Sequence, residues 1–223
     1  MRLLALALLC VLTALGASAP LSAGPAAADW LTVVARTPEG GTRIGNPAAP
    51  LKLVEYGSRT CPTCGRFANE SGALRSTYVA GGKVSWEFRD FPVHPQDPGV
   101  SLIGMCVSPR NFFKILDQMY AGQDAFNRKA SMLTDERLRE LSEMPLLQGA
   151  RAWSDTLGYT DLVRRAGMPE ARIAQCFGKP ALDALVAVVE GGSKLGVQGT
   201  PTFFLNGRQL NAVSWAQIEP YLQ

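Results

Sequence analysis

Cys61-Pro62-Thr63-Cys64 sets two thiols, with two residues between them, at the junction of an apolar stretch, Leu51 to Tyr56, and a helix-like run, Phe67 to Tyr78. Thiols so placed can exchange electrons with other cysteines through disulfide formation and cleavage. Proline has a fixed φ and no N–H, which suits the first helical position and makes Cys61 the N-cap. A thiolate there can accept hydrogen bonds from the N–H groups of Thr63 and Cys64 at the positive end of the helix dipole. That lowers its pKa, and the thiolate is the reactive form. Cys64 shares a helix face with Phe67, Ala68 and Ser71. One sulfur is therefore expected exposed and acidic, the other shielded. A zinc site would need further ligands, but the other cysteines are scattered and His94 is the single histidine. A purely structural disulfide across so short a gap would constrain the unfolded chain little.

These cysteines need a strand before them and a helix after. Leu51 to Tyr56 has strong β character at Val54 and Tyr56, and Ala80-Gly81-Gly82 is a helix stop. Lys83 to Phe91 alternates Val84, Trp86 and Phe88 against Ser85 and Glu87, which predicts a second strand. Strand, helix, strand implies a parallel unit with a right-handed crossover. Upstream, a short strand is expected over Leu31 to Ala35, then loop to Pro50. Helices are expected over Val100–Val107, Asn111–Ala121, Asp135–Met144, Ala150–Leu157, Asp161–Ala166 and Pro169–Phe177. A longer one, Pro180–Leu195, leads back to Thr202–Leu205 and Arg208–Leu210. These two strands flank Asn206-Gly207, a strong hairpin signal. Ser214 can cap a last helix through Tyr221. The fold class is α/β, divided as 29–96, a helical insertion over 97–179, and 180–223.

Residues 1–28 read as an export signal: Met1-Arg2, then apolar Leu3 to Leu15, then small residues. Cleavage could follow Ala28 or Ala19. Cys10 belongs to the signal, since Leu9 before it is too bulky for lipoprotein processing. An uncleaved signal would anchor the chain to a membrane. No other apolar run reaches the ~18 residues of a span. The net charge of +3 falls by one with Arg2, and no basic run suggests nucleic acid as a partner. Disulfides persist outside the cytosol. With Cys10 removed and Cys61 paired to Cys64, Cys106 and Cys176 have only each other. A structural Cys106–Cys176 disulfide is expected, the alternative being two small buried apolar residues.

Three segments carry a family likeness: Val54-Glu-Tyr-Gly-Ser-Arg-Thr-Cys-Pro-Thr-Cys64, Phe88-Arg-Asp-Phe-Pro92 and Gly199-Thr-Pro-Thr-Phe-Phe-Leu-Asn-Gly207. From about Gly45 to the end, the chain resembles the DsbA-like thiol:disulfide oxidoreductases of the branch labelled thioredoxin-like family 4. The resemblance implies a thioredoxin fold with an inserted helical domain. It implies Cys61 as nucleophile and mixed-disulfide partner, and Cys64 as the resolving thiol. Thr200-Pro201 matches the family's cis-proline loop, which holds substrate peptide through its main chain; the alternative is an ordinary trans turn proline. Glu55 matches a buried acidic residue with a suggested part in proton transfer near Cys64; the alternative is a solvated strand residue. Where the strong oxidants of the family carry histidine between the cysteines, this chain has Thr63. That implies a potential between the roughly −120 mV of a strong oxidant and the roughly −270 mV of thioredoxin.

The leading expectation is a periplasmic catalyst that introduces disulfides into exported proteins bearing cysteine thiols. It needs no cofactor or metal and is reoxidised by a membrane redox partner. A disulfide isomerase or reductase of the same fold is the second. Only about twenty residues separate Asp29 from the first core strand, which leaves no room for the N-terminal dimerisation domain of such isomerases and favours a monomer. A redox-silent peptide-binding or metal-carrying module is the third.

Overall fold

The computed structural model describes residues 29–223. The export signal, its two cleavage points and Cys10 lie outside the described residues. The strands are β1 (Val34–Arg36), β2 (Thr42–Ile44), β3 (Leu51–Gly57), β4 (Val84–Asp90), β5 (Thr202–Leu205) and β6 (Arg208–Leu210). They form one sheet in the order β1-β2-β4-β3-β5-β6. Only β3 and β4 run parallel, in register Leu53 to Trp86 and Glu55 to Phe88; the other pairs are antiparallel. Helix α1 (Pro62–Glu70) makes the crossover between the two parallel strands. The Asn206-Gly207 turn has positive φ at both residues, 49° and 81°, as a type I′ hairpin requires. The Asn206 side chain also accepts from the Lys52 N–H at 2.8 Å, tying the hairpin to β3.

Between β4 and the long helix α9 (Lys179–Lys194) run α2 (Asp97–Met105), α3 (Pro109–Ala121), α4 (Gln123–Ser131), α5 (Asp135–Glu143), α6 (Leu146–Leu157), α7 (Tyr159–Arg165) and α8 (Glu170–Cys176). This is the thioredoxin arrangement with a helical insertion. Because strand side chains alternate faces, the sheet feeds two apolar clusters. Leu53, Trp86, Phe88 and Phe203 pack with Phe67 of α1 and Phe112 of α3. On the other face Tyr56 and Phe204 pack with Val188 of α9. Gly192 lets α9 come close there, since a Cβ at that position would lie 2.7 Å from the Tyr56 ring. A third cluster, with Ile103, Tyr159, Ile173 and Leu185, is the core of the insertion. Among the described residues no helix is long and apolar enough to cross a membrane.

Four local expectations need correction. Trp30–Thr32 is a 3-10 turn capped by Asp29, so the first strand begins only at Val34. The stretch expected as loop to Pro50 contains β2, which pairs with both β1 and β4; its glycine-rich flanks hide three residues whose outer members are buried. The helix after the cysteines is not continuous. α1 ends at Glu70, and after Ser71-Gly72 the chain winds as a wider π-type turn, Leu74–Val79. The final helix is α10 (Trp215–Ile218), followed by a 3-10 turn, Glu219–Tyr221.

Candidate active site

Cys61 is the N-cap of α1, in extended conformation, with Pro62 at the first helical position. β3 aims the chain at this point, and the antiparallel β3–β5 pairing carries the loop before Thr202 to the same end of the sheet. There the Thr200–Pro201 peptide bond is cis. The Cys61 sulfur lies 3.3 Å from the Thr200 carbonyl, to which it donates when protonated. Both cysteines are reduced. Cys64 is fully buried, and Cys61 is only 7% exposed. The expected contrast between an open and a shielded sulfur is thus mild in area, because the Thr200 loop covers Cys61.

The contrast lies in the electrostatics. The Cys61 thiol is lowered to about 5, chiefly by the hydrogen bond from the Cys64 thiol, against the opposing effect of burial. The Thr200 side chain and the N–H groups of Cys64 and Thr63 add to the lowering. The Thr200 hydroxyl is buried with no hydrogen-bond partner among the described residues, so it is free to serve the anion. Cys64 is pushed well above the ordinary thiol value, first by burial, then by Cys61 and Glu55. One sulfur is held as thiolate at neutral pH, the other as thiol.

Glu55 lies on the same face of β3 as Leu53, between Phe88 and Phe203 on the neighbouring strands. Only 1% of it is exposed, and neither carboxyl oxygen has a hydrogen-bond partner. Burial raises its pKa to about 8; the Trp86 indole opposes the rise without completing a hydrogen bond. A carboxyl that titrates near neutrality, coupled to both sulfurs, can hold or release a proton inside the site.

Cys106 and Cys176 lie far from this centre in the chain, at the ends of α2 and α8, and are joined by a disulfide.

The structure adds side chains that sequence reasoning did not connect to the cysteines. Arg59 is buried and pairs with buried Asp90 through two hydrogen bonds, 2.6 and 2.9 Å. Its guanidinium stacks on Phe88 and Phe112. The Asp97 carboxylate, also buried, accepts from the hydroxyls of Ser58 and Thr60 and from the N–H groups of Val93 and His94. His94 lies in the loop between β4 and α2, and its Nδ1 is 3.3 Å from the Thr60 hydroxyl and 3.2 Å from Asp97. From the insertion, Gln123 and Asn127 of α4 donate to main-chain carbonyls next to and at Cys61. The helix expected from Val100 is α2, and Asp97-Pro98 carries a helix-start signal that places its beginning three residues earlier; nothing local marks the other contacts.

Comparison with known proteins gives the family and the fold. The sequence profile of the family described as Thioredoxin matches residues 37–223. A Rickettsia prowazekii protein named for protein-disulfide oxidoreductase activity is 24% identical over 173 residues, 74% of this chain and 54% of that protein. The chain thus spans about half the length of that relative. The crystal structure of a protein-disulfide isomerase from Novosphingobium aromaticivorans superposes with a TM-score of 0.76 at 30% identity, over 82% of this chain and 95% of that one. Alpha-DsbA1 of Wolbachia pipientis shares the fold, with a TM-score of 0.62 at 19% identity over 82% and 88% of the two chains.

Proposed function

The chain belongs to the thioredoxin family, in its DsbA-like branch of disulfide oxidoreductases and isomerases, and from that premise we propose that it oxidises dithiols in exported proteins by exchange at Cys61–Cys64. A substrate thiolate attacks Cys61 of the disulfide; a substrate–Cys61 bond forms, the Cys61–Cys64 bond breaks, and Cys64 leaves and takes a proton. The second substrate thiolate then attacks the substrate sulfur of the mixed disulfide and displaces the Cys61 thiolate. Two electrons have passed from substrate to the cysteine pair. Glu55 is the group suited to deliver the proton that Cys64 takes up. Thr200, whose carbonyl faces Cys61, and Pro201 form the platform for the substrate main chain.

The observation that carries this reading is the split between the sulfurs, Cys61 near 5 and Cys64 well above 9.0. A stable thiolate favours the reduced enzyme, and that makes its disulfide an oxidant. Reoxidation needs an acceptor, for which the family resemblance implies a quinone-linked membrane partner. Export rests on the signal-like residues 1–28 and on the habit of the family, which favours the periplasm.

A second reading, isomerase, is favoured by the name of the Novosphingobium aromaticivorans neighbour. Equilibration of Cys61–Cys64 with glutathione, run beside refolding of reduced and of scrambled ribonuclease, separates the two. The potential expected for Cys61–Cys64 lies between about −120 and about −270 mV, and an oxidant refolds the reduced form. Activity on the scrambled form alone would make the protein an isomerase. Activity on neither, nor on insulin, would leave a redox-silent binding module.

A further inference from the structure

The three residues before Cys61 form no regular structure, yet they are buried: Ser58, Arg59 and Thr60 are each at most 2% exposed. Buried carbonyls require partners, and here the main chain supplies few. The Ser58 carbonyl accepts from the Cys61 N–H at 3.3 Å, and the Cys61 carbonyl from the Gly65 N–H at 3.0 Å. For the carbonyls of Arg59 and Thr60, the partners found among the described residues are side chains of α4. Gln123 Nε2 donates to the Arg59 carbonyl at 3.1 Å and also to the Cys61 carbonyl at 3.0 Å. Asn127 Nδ2 donates to the Thr60 carbonyl at 3.1 Å. Gln123 is the one residue of α4 that is buried. Its amide lies so close to α1 that a Cβ at Gly65 would sit 2.3 Å from Oε1.

We propose that Gln123 and Asn127 are positioning residues for the nucleophile, so that the helical insertion is part of the redox centre. The inference rests on Cys61 being the nucleophile of the proposed exchange. The Cys61 anion depends on where its sulfur sits relative to the Cys64 thiol first, then to the Thr200 side chain and the N–H groups of Cys64 and Thr63. That position is fixed by the main chain of residues 59–61, and the side-chain amides of α4 hold that main chain. Without them, two buried carbonyls must find water or other donors, and the segment shifts to reach them. The sulfur then moves off the helix end and loses acidity.

The test is the pH midpoint of the Cys61 thiolate in the reduced full chain, followed by thiolate absorbance and by alkylation rate. Gln123→Met keeps the volume and removes both donated bonds. Its midpoint should rise by about one pH unit, a tenfold loss of thiolate below the midpoint. Asn127→Ala should move it in the same direction by less, and serves if the first variant does not fold. Lys129→Met removes another donor of α4, to the Leu157 carbonyl, and should leave the midpoint in place. A lower melting temperature with an unshifted midpoint in both Gln123→Met and Asn127→Ala would reduce the two residues to structural supports and overturn the proposal. A wild-type midpoint at the ordinary thiol value would instead remove the exchange reading itself.

Discussion

At Glu55 a buried carboxyl without a hydrogen-bond partner is a cost to the fold, and pH sets its size. Its folded-state pKa is raised from 4.5 to about 8 by burial. Its contribution to stability is therefore fully present below pH 4.5 and is lost as pH rises through about 8. At neutral pH the loss is on the order of a few kcal/mol. Cys61 runs the opposite way in the reduced protein. Its pKa is lowered from 9.0 to about 5, so its contribution is complete above 9.0 and fades as pH falls through about 5. Glu55→Gln isolates the first effect. Urea unfolding of this variant should show a stability gain over wild type that grows from pH 4.5 to 8 and then levels off. A difference constant across that range would mean that Glu55 does not titrate as described. The same variant should slow reduction of the Cys61–Cys64 disulfide by about a hundredfold, the usual weight of a lost proton donor.

Among the elements, the β3–α1 connection, with its buried charge pair, holds the cysteines. Arg59 and Asp90 are 1% and 2% exposed, and a charge left alone at such depth costs about 3–5 kcal/mol. Asp90→Ala should thus destabilise by about that much, whereas Arg59→Leu combined with Asp90→Leu should recover most of the loss. Denaturant midpoints decide it: additive losses in the double variant would mean that the two charges act independently. This pair also marks where sequence reading stopped. Proline after Cys61, the alternation of Val84, Trp86 and Phe88, and the Asn206-Gly207 turn are local signals, and the elements they predict are present. Helix α4 has no such signal. Gly122 before it reads as the stop of α3, and the apolar face of α4 is a short one, Phe126 and Ala130 packing on the insertion core. The donors of α4 reach acceptors 62 to 67 residues away, a relation set by tertiary packing. β2 was hidden in the same way, since its three residues become a strand only because β1 and β4 flank it.

For the molecule as a whole, the sheet and the insertion have separate apolar clusters, and the cysteines divide between them. Cys61 and Cys64 belong to the cluster under the sheet, while Cys106 and Cys176 pack with the insertion. The Cys106–Cys176 bond closes 70 residues, from the end of α2 to the end of α8, and so encloses nearly all of the insertion. In the chain-entropy model a closure of this length stabilises by about 4 kcal/mol. None of the groups that lower Cys61, namely Cys64, Thr200 and the N–H of Thr63, lies inside the closed segment. Stability and reactivity should therefore separate. Replacing both Cys106 and Cys176 with alanine should lower the melting temperature by roughly 10 °C. The glutathione potential of Cys61–Cys64 should stay within about 10 mV of wild type, less than a threefold change in equilibrium. α4 also lies within that segment, and its amides hold the Cys61 main chain. A potential that shifts together with the melting temperature would therefore mean that the disulfide holds α4 in place, and that the separation fails.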